Sequence, residues 1–131
     1  MENDALNLFG KLLMEEVRDI VIAAYYDIIE DNFVSEESKY LRSMIKKYNL
    51  NNDGLEKFIT EMVDRTIFKF LFLFEMNENF SITSNIDNTV VNLVEVSDGL
   101  AGEIFTEDGW IKKFSEYKQI DDWMEEDRCH I

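Results

Sequence analysis

The residues best suited to chemistry lie near the carboxyl end of the chain. Its single histidine, His130, and its single cysteine, Cys129, follow Glu126 and Asp127. Glu126 and His130 stand one helical turn apart, a spacing that can place two metal ligands on one helix face. That spacing also arises easily by chance in an acidic tail. We therefore expect neither a metal site nor a cofactor here.

Other catalytic arrangements find little support in the sequence. A Ser-His-Asp or Cys-His arrangement would have to use His130, the next-to-last residue. The paired Glu-x-x-His motifs of a di-iron bundle are missing, and so are G-x-G-x-x-G and phosphate-loop motifs. We predict that the protein is not an enzyme. A small carboxylate-using or metal-dependent enzyme, with Asp98, Glu103 and Asp108 converging on a pocket, is the alternative.

A second stretch combines small residues, acids and an aromatic ring. Residues 96–117 hold three of the five glycines of the chain. Aromatic anchors inside a polar rim are typical of protein interfaces. The residues predicted to bind a partner are Asp98, Glu103, Glu107, Asp108 and Trp110. In the alternative interpretation this stretch is a packed helix–turn–helix corner, with Trp110 filling the core.

The net charge restricts the classes of partner. Among 131 residues, 28 Asp and Glu outnumber 13 Lys and Arg, which gives a formal charge of −15. Such a surface repels nucleic-acid phosphates and anionic lipids and attracts basic proteins. We therefore expect no direct nucleic-acid or membrane partner. The competing interpretation is that the charge serves solubility alone.

Cysteine content and apolar runs indicate the compartment. One cysteine allows no internal disulfide, which favours a reducing environment such as the cytoplasm. The first residues lack the basic region of a signal peptide, and no apolar run approaches the length of a membrane span.

Helical spacing dominates the first part of the chain. Apolar residues predict a helix from about residue 4 to residue 32, with a possible break at Gly10. Ser35 is a good N-cap for a helix to about Lys47. The most prominent helix spans 53–78, capped by Asn52 or Asp53. Its second half is apolar on every face, so we expect the rest of the chain to enclose it. Asp64 and Arg65 are expected to lie at the edge of the apolar stripe and to form ordinary surface or rim pairs.

The remaining residues predict smaller elements. Alternating residues indicate a β-hairpin that pairs 80–84 with 89–93. Asn92 to Glu95 has capping-box spacing and would open a helix through Phe105; the alternative is a strand over 91–96 with a turn at Asp98-Gly99. A short helix is expected over 110–117. We predict one α+β, predominantly helical domain over 1–117, a bundle around the Phe-rich helix with one hairpin, followed by an acidic tail at 118–131. An all-α fold is the alternative.

Three segments together resemble a known group of proteins. They are VRD at 17–19, DRTIFKFLFLFE at 64–75 and SDGLAGEIFTEDGWIKKFSEY at 97–117. They resemble small acidic bacterial immunity proteins of polymorphic and contact-dependent toxin systems, over most of residues 5–117. The resemblance implies a non-catalytic protein that binds and neutralises a cognate toxin domain, often a nuclease. A structural or adaptor protein that forms homo-oligomers through the Phe-rich helix is a further alternative.

Overall fold

A computed structural model describes residues 2–32 and 35–119. The predicted α+β, predominantly helical fold is confirmed. The elements in chain order are α1 (Glu2–Leu12), a π-helical turn (Leu13–Arg18), α2 (Asp19–Ile29), α3 (Glu36–Lys47), α4 (Asn52–Met76), β1 (Thr83–Ile86), β2 (Thr89–Asn92), α5 (Leu93–Val96), a 3₁₀ turn (Ala101–Ile104) and α6 (Trp110–Phe114).

The first three elements form one continuous helical segment. Its buried side includes residues spaced by four, namely Leu6, Gly10, Met14, Arg18 and Ile22. In a regular α-helix, residues spaced by four gradually move off one face, since a turn holds 3.6 residues. The π-helical turn is wider and rotates the side chains back, so that Met14 and Arg18 both stay buried.

The predicted break at Gly10 is therefore wrong, and close packing explains this glycine. Gly10 lies inside α1, and a Cβ atom built on it would overlap the indole of Trp110. Phe9 meets the same indole edge-on, with ring centroids 5.7 Å apart. Because Gly10 has no side chain, the start of α6 can pack directly against α1.

Side-chain caps set where α3 and α4 begin. Ser35 and Ser38 form a capping box at the start of α3, as the sequence indicated for Ser35. The Asn51 side chain accepts a hydrogen bond of 2.9 Å from the Gly54 N–H, so α4 is capped one residue earlier than predicted. Both helices then pack against α2.

The expectation that the second half of α4 is enclosed is wrong. Ile67 and Leu71 are buried, whereas Phe70 is 57% exposed and Leu73 is 46% exposed. The spacing of apolar residues shows which faces of a helix are apolar. Whether other elements cover those faces depends on the whole fold. Here α2 and the 3₁₀ turn pack on α4 and leave its outer side open.

The hairpin is confirmed with shifted strands. Thr83 pairs with Asn92 and Ile86 with Thr89, and Asp87 and Asn88 both have positive φ angles. Two such residues make the tight turn that suits the twist of a hairpin. The hairpin therefore closes with a two-residue turn, and its strands lie closer to that turn than the sequence suggested.

The chain after the hairpin contains shorter helices than predicted. The Asn92 side chain caps α5 as expected, but α5 ends at Val96 and the chain bends before the 3₁₀ turn. The alternative of a strand over 91–96 is therefore wrong for residues 93–96, which are helical. The last helix ends at Phe114, and residues 115–119 form an irregular segment that we call the strap.

One core joins the two ends of the described chain. Residues from α1, the π-helical turn, α4, β2, α5, the 3₁₀ turn and α6 contribute to it. None of the helices within 2–32 and 35–119 has the length and apolarity needed to cross a membrane.

The contact between Gly10 and Trp110 predicts a specific stability effect. Gly10→Ala should lower the free energy of unfolding by about 1–3 kcal/mol, because the new methyl group overpacks the indole. Gly54→Ala is the matched control, since a Cβ there meets nothing closer than 3.6 Å. Urea unfolding followed by circular dichroism checks both. Equal midpoints for the two variants would show that Trp110 does not pack tightly on Gly10.

Candidate functional site

The glycine-rich corner, residues 97–110, docks on the end of α4. The Glu75 carboxylate accepts a 2.5 Å hydrogen bond from the Ala101 N–H. The Ser97 hydroxyl donates to Glu103 at 3.2 Å and accepts from the Gly99 N–H. A carboxylate on α4 and a short polar chain therefore hold the start of the corner in place.

The second half of the corner closes through backbone packing. Gly109 is buried, and a Cβ atom there would come within 2.7 Å of the Glu103 and Thr106 carbonyl oxygens. The chain then enters α6 at Trp110, which is 1% exposed. The Trp110 side chain thus belongs to the core, as the packed-corner interpretation has it, and is not a surface anchor.

The four predicted acids of the corner do not share one environment. Asp98, Glu107 and Asp108 are exposed, whereas Glu103 is half-buried and bonded to Ser97. Across the described ranges no three His, Cys, Asp or Glu side chains are grouped to hold a metal ion. The Glu126–His130 spacing considered above lies outside the described residues.

A buried ion pair that the sequence analysis did not predict joins the last residue of the π-helical turn to α4. Arg18 Nε donates to Asp64 Oδ1 at 2.6 Å and Arg18 Nη2 donates to Asp64 Oδ2 at 3.1 Å. Both residues are almost completely inaccessible to solvent. Burial raises the pKa of the Asp64 carboxyl, and the two bonds from Arg18 act in the opposite direction. The expectation that Asp64 forms a surface pair is wrong, whereas Arg65 does pair with Glu61 at the surface.

The same guanidinium holds the strap. Arg18 Nη1 donates to the Ser115 hydroxyl at 2.6 Å and to the Tyr117 carbonyl at 2.7 Å, and Nη2 donates to the Lys118 carbonyl at 3.2 Å. With the two bonds to Asp64, five hydrogen bonds match the five N–H donors of an arginine. The packed chain therefore extends at least to the buried Gln119.

A concave acidic surface forms where the strap crosses α2. This acidic cleft, about 400 Å³ in volume, is lined by Glu15, Asp19, Ile20, Ala23, Phe114, Glu116 and Tyr117. Asp19 is bonded within it, accepting from the Ser115 hydroxyl at 2.5 Å and from the Glu116 N–H at 3.1 Å. Carboxylates beside an aromatic ring suit a cationic side chain.

The phenol of Tyr117 lies among several carboxylates. Burial raises the pKa of the Tyr117 phenol, and the nearby carboxylates Glu116, Asp19, Asp27 and Glu30 raise it further. Each of these negative charges disfavours a phenolate. The cleft and the adjoining side of α2 therefore carry a negative field.

A second group of acids lies where α2 ends and α4 begins. Burial raises the pKa of Glu56, and the neighbouring Glu30 and Asp53 add to that rise. Tyr26 crosses the same junction, with its hydroxyl 2.7 Å from the Thr60 hydroxyl and its ring edge-on to Tyr117. Lys57 lies 3.5 Å from the Asp53 carboxylate, so this group of acids already contains a basic side chain.

Some of these residues carried a signal in the sequence. Arg18 falls on the apolar stripe that contains Met14 and Ile22, and Asp64 falls on the stripe that contains Ile67 and Leu71. A charged residue on a buried stripe is rarely tolerated without a partner. Opposite charges on two such stripes therefore suggest a buried pair. The residues around Arg18 in the sequence, however, do not indicate that the strap accepts its remaining hydrogen bonds.

No family model, curated protein or solved structure matches this chain.

The Arg18–Asp64 pair should be the most sensitive polar interaction in the fold. Arg18→Met leaves a buried carboxylate and frees the strap, and should cost about 3–5 kcal/mol of unfolding free energy. Arg65→Met removes the exposed pair that Arg65 forms with Glu61, four residues earlier on α4, and should cost at most about 0.5 kcal/mol. Urea titrations of both variants give the comparison.

The loss in Arg18→Met should also depend on pH. Without the guanidinium, the pKa of Asp64 in the folded protein rises further above its unfolded value of about 3.9. Stability is then retained below the unfolded pKa and lost as pH rises through the folded pKa. The deficit against wild type should be larger at pH 8 than at pH 4.5, and a deficit independent of pH would contradict an ionised Asp64.

Proposed function

We propose that this protein is an immunity-type inhibitor that binds and neutralises a cognate bacterial toxin domain, and that this domain is a basic nuclease. The supporting observation is how the charge is distributed. Among the carboxylates whose burial the structure describes, Asp19 and Asp64 are buried and the others reach solvent. Within the described part of the chain, the excess of acidic over basic residues is thus presented outward and not neutralised in the interior.

A nuclease suits such a surface for a physical reason. An enzyme that holds phosphates carries a positive cleft, and an acidic protein can occupy that cleft as a substrate-like anion. Complementary fields also accelerate association, toward about 10⁸–10⁹ M⁻¹s⁻¹ at low salt. In this proposal inhibition requires no catalysis and no cofactor, and the protein acts in the cytoplasm, where it protects the cell that makes it.

Two acidic surfaces are suited to the contact. One is the corner, with Asp98, Glu107 and Asp108 exposed. The other is the acidic cleft, which is concave and includes the partly buried ring of Tyr117. Trp110 takes no direct part, because its side chain is in the core.

The proposal predicts that the reading frame just upstream encodes a large secreted protein with a variable carboxyl-terminal domain, and that domain is the one to test. Co-expression should protect the cell, and the purified proteins should form a complex whose association rate falls as salt rises. Absence of both protection and a complex would contradict the proposal. So would an association rate that ionic strength does not change.

Charge-reversal pairs locate the surface. Asp98→Lys with Asp108→Lys changes the corner, and Glu15→Lys with Glu116→Lys changes the acidic cleft. Glu37→Lys with Glu78→Lys is the control, because it changes net charge equally at exposed sites elsewhere. We expect one of the two test pairs to slow association about tenfold or more relative to the control. Equal effects of all three pairs would contradict a localised acidic site.

A further inference from the structure

Past its first turn, α3 is basic, although the chain as a whole is acidic. Residues 38–52 contain four of the 13 basic residues and none of the 28 acidic ones. Arg42 is half-buried, and its Nη1 donates to the Ile29 carbonyl at the end of α2, which fixes α3 in place. The other three cations, which we call the α3 lysines, are exposed, namely Lys39, Lys46 and Lys47.

Carboxylates of this chain hold two of the α3 lysines only at the surface. Lys39 Nζ lies 3.6 Å from the Glu36 carboxylate, and Lys46 Nζ lies 3.9 Å from the Asp31 carboxylate. The two lysine side chains are 62% and 65% exposed. Exposed pairs of this kind contribute little to stability, so a carboxylate of a partner can replace them at low cost.

A row of exposed aromatic and apolar side chains, which we call the α3 strip, runs beside the lysines. It consists of Tyr40, Met44 and Tyr48, which follow one another at spacings of four, with the tyrosines 66% and 59% exposed. Residues four apart are neighbours on a helix surface. Lys47 follows Tyr40 by seven residues, or two turns, and its Nζ lies over the Tyr48 ring at 5.4 Å from the centroid. Positive charge and aromatic surface are therefore adjacent on the outer face of α3.

The charge of this face selects an acidic partner, and its size selects a short one. The Debye length at physiological salt is about 8 Å, so a short segment on α3 interacts mainly with the α3 lysines and little with distant carboxylates. The 12 residues of α3 span only about 18 Å. A nucleic acid or an anionic membrane extends further and would also meet exposed acids beside α3, such as Asp31 and Glu37. A second copy would bring together two chains of net charge −15.

We propose that the outer face of α3 binds a short acidic segment of a partner protein, with apolar side chains of that segment on the α3 strip and its carboxylates on the α3 lysines. Charge-assisted hydrogen bonds from ammonium groups to carboxylates fix the orientation. The exposed rings of the strip supply the apolar contact area. This face is opposite in charge to the acidic surfaces proposed for a toxin, and binding here does not require the partner to be one.

Two synthetic peptides test the site with the full-length protein and no toxin. A fluorescent peptide of about 12 residues, long enough to cover α3, carries Leu at i, i+4 and i+8 and Glu elsewhere. A second peptide has Ser in place of Leu and keeps the same charge. Fluorescence anisotropy at about 0.15 M salt measures both. We expect the Leu peptide to bind with a Kd below about 0.1 mM, and about fivefold or more tightly than the Ser peptide.

A pair of lysine variants places the peptide on α3. Lys39→Gln with Lys47→Gln should weaken binding of the Leu peptide about fivefold or more, because two contacts to its carboxylates are lost. Lys11→Gln with Lys113→Gln is the control, since it changes the net charge equally at exposed sites outside α3. The control should change the Kd by less than about twofold.

A second pair of variants tests the α3 strip. Tyr40→Gln should weaken the Leu peptide about fivefold or more and leave binding of the Ser peptide unchanged, because only the Leu peptide uses the ring. Phe80→Gln is the control, since Phe80 and Tyr40 are both 66% exposed and Phe80 lies outside α3. It should have no effect on either peptide. Circular dichroism checks that each variant keeps the wild-type helix content.

Four results would overturn the proposal. Failure of the Leu peptide to bind would remove the site. Equal effects of the two lysine pairs, or of Tyr40→Gln and Phe80→Gln, would remove α3 from the contact. A single-stranded RNA that displaces the Leu peptide at lower concentration than unlabelled peptide does would assign the face to nucleic acid. A dimer in light scattering that Tyr40→Gln converts to a monomer would assign it to a second copy of this chain.

Discussion

The guanidinium of Arg18 is the point on which the arrangement of the helices depends. An arginine this deeply buried is stable only when its charge is paired and its donors are bonded. Asp64 supplies the charge from α4, and Ser115, Tyr117 and Lys118 supply the remaining acceptors from the strap. One side chain therefore joins the long amino-terminal helix, the central helix and the end of the described chain.

The surfaces on the two sides of α2 differ in polarity. On the strap side of α2 the covering chain brings Glu116 and Tyr117 against Asp19 and produces the acidic cleft. On the other side no element within residues 2–32 and 35–119 covers the junction of α2 and α4, and apolar side chains such as Val21 and Met62 remain accessible. The acidic surface favours rapid, salt-sensitive encounters, while an apolar groove contributes short-range affinity. The protein thus presents a concave acidic surface and an apolar surface on two sides of α2.

Local features of the fold were predictable because their causes are local. Ser35 caps α3, Asn92 caps α5, and two turn residues at Asp87 and Asn88 close the hairpin. Each of these depends on bonds within a few residues. The enclosure of α4 was not predictable in the same way. Its Phe-rich half is apolar on every face, yet the elements that the structure describes leave Phe70 exposed.

The sequence by itself determined the helical character, the element order, the hairpin and the sign of the surface charge, because periodicity, capping residues and composition act locally or additively. Tertiary structure decided the roles of individual residues. The sequence allowed Trp110 to be either an interface anchor or a core residue. The packing of its indole against Gly10 of α1 makes it a core residue. Asp64 became a buried partner because Arg18, 46 positions earlier, lies opposite it. Such pairings depend on how helices cross in space, and no window of neighbouring residues contains that information.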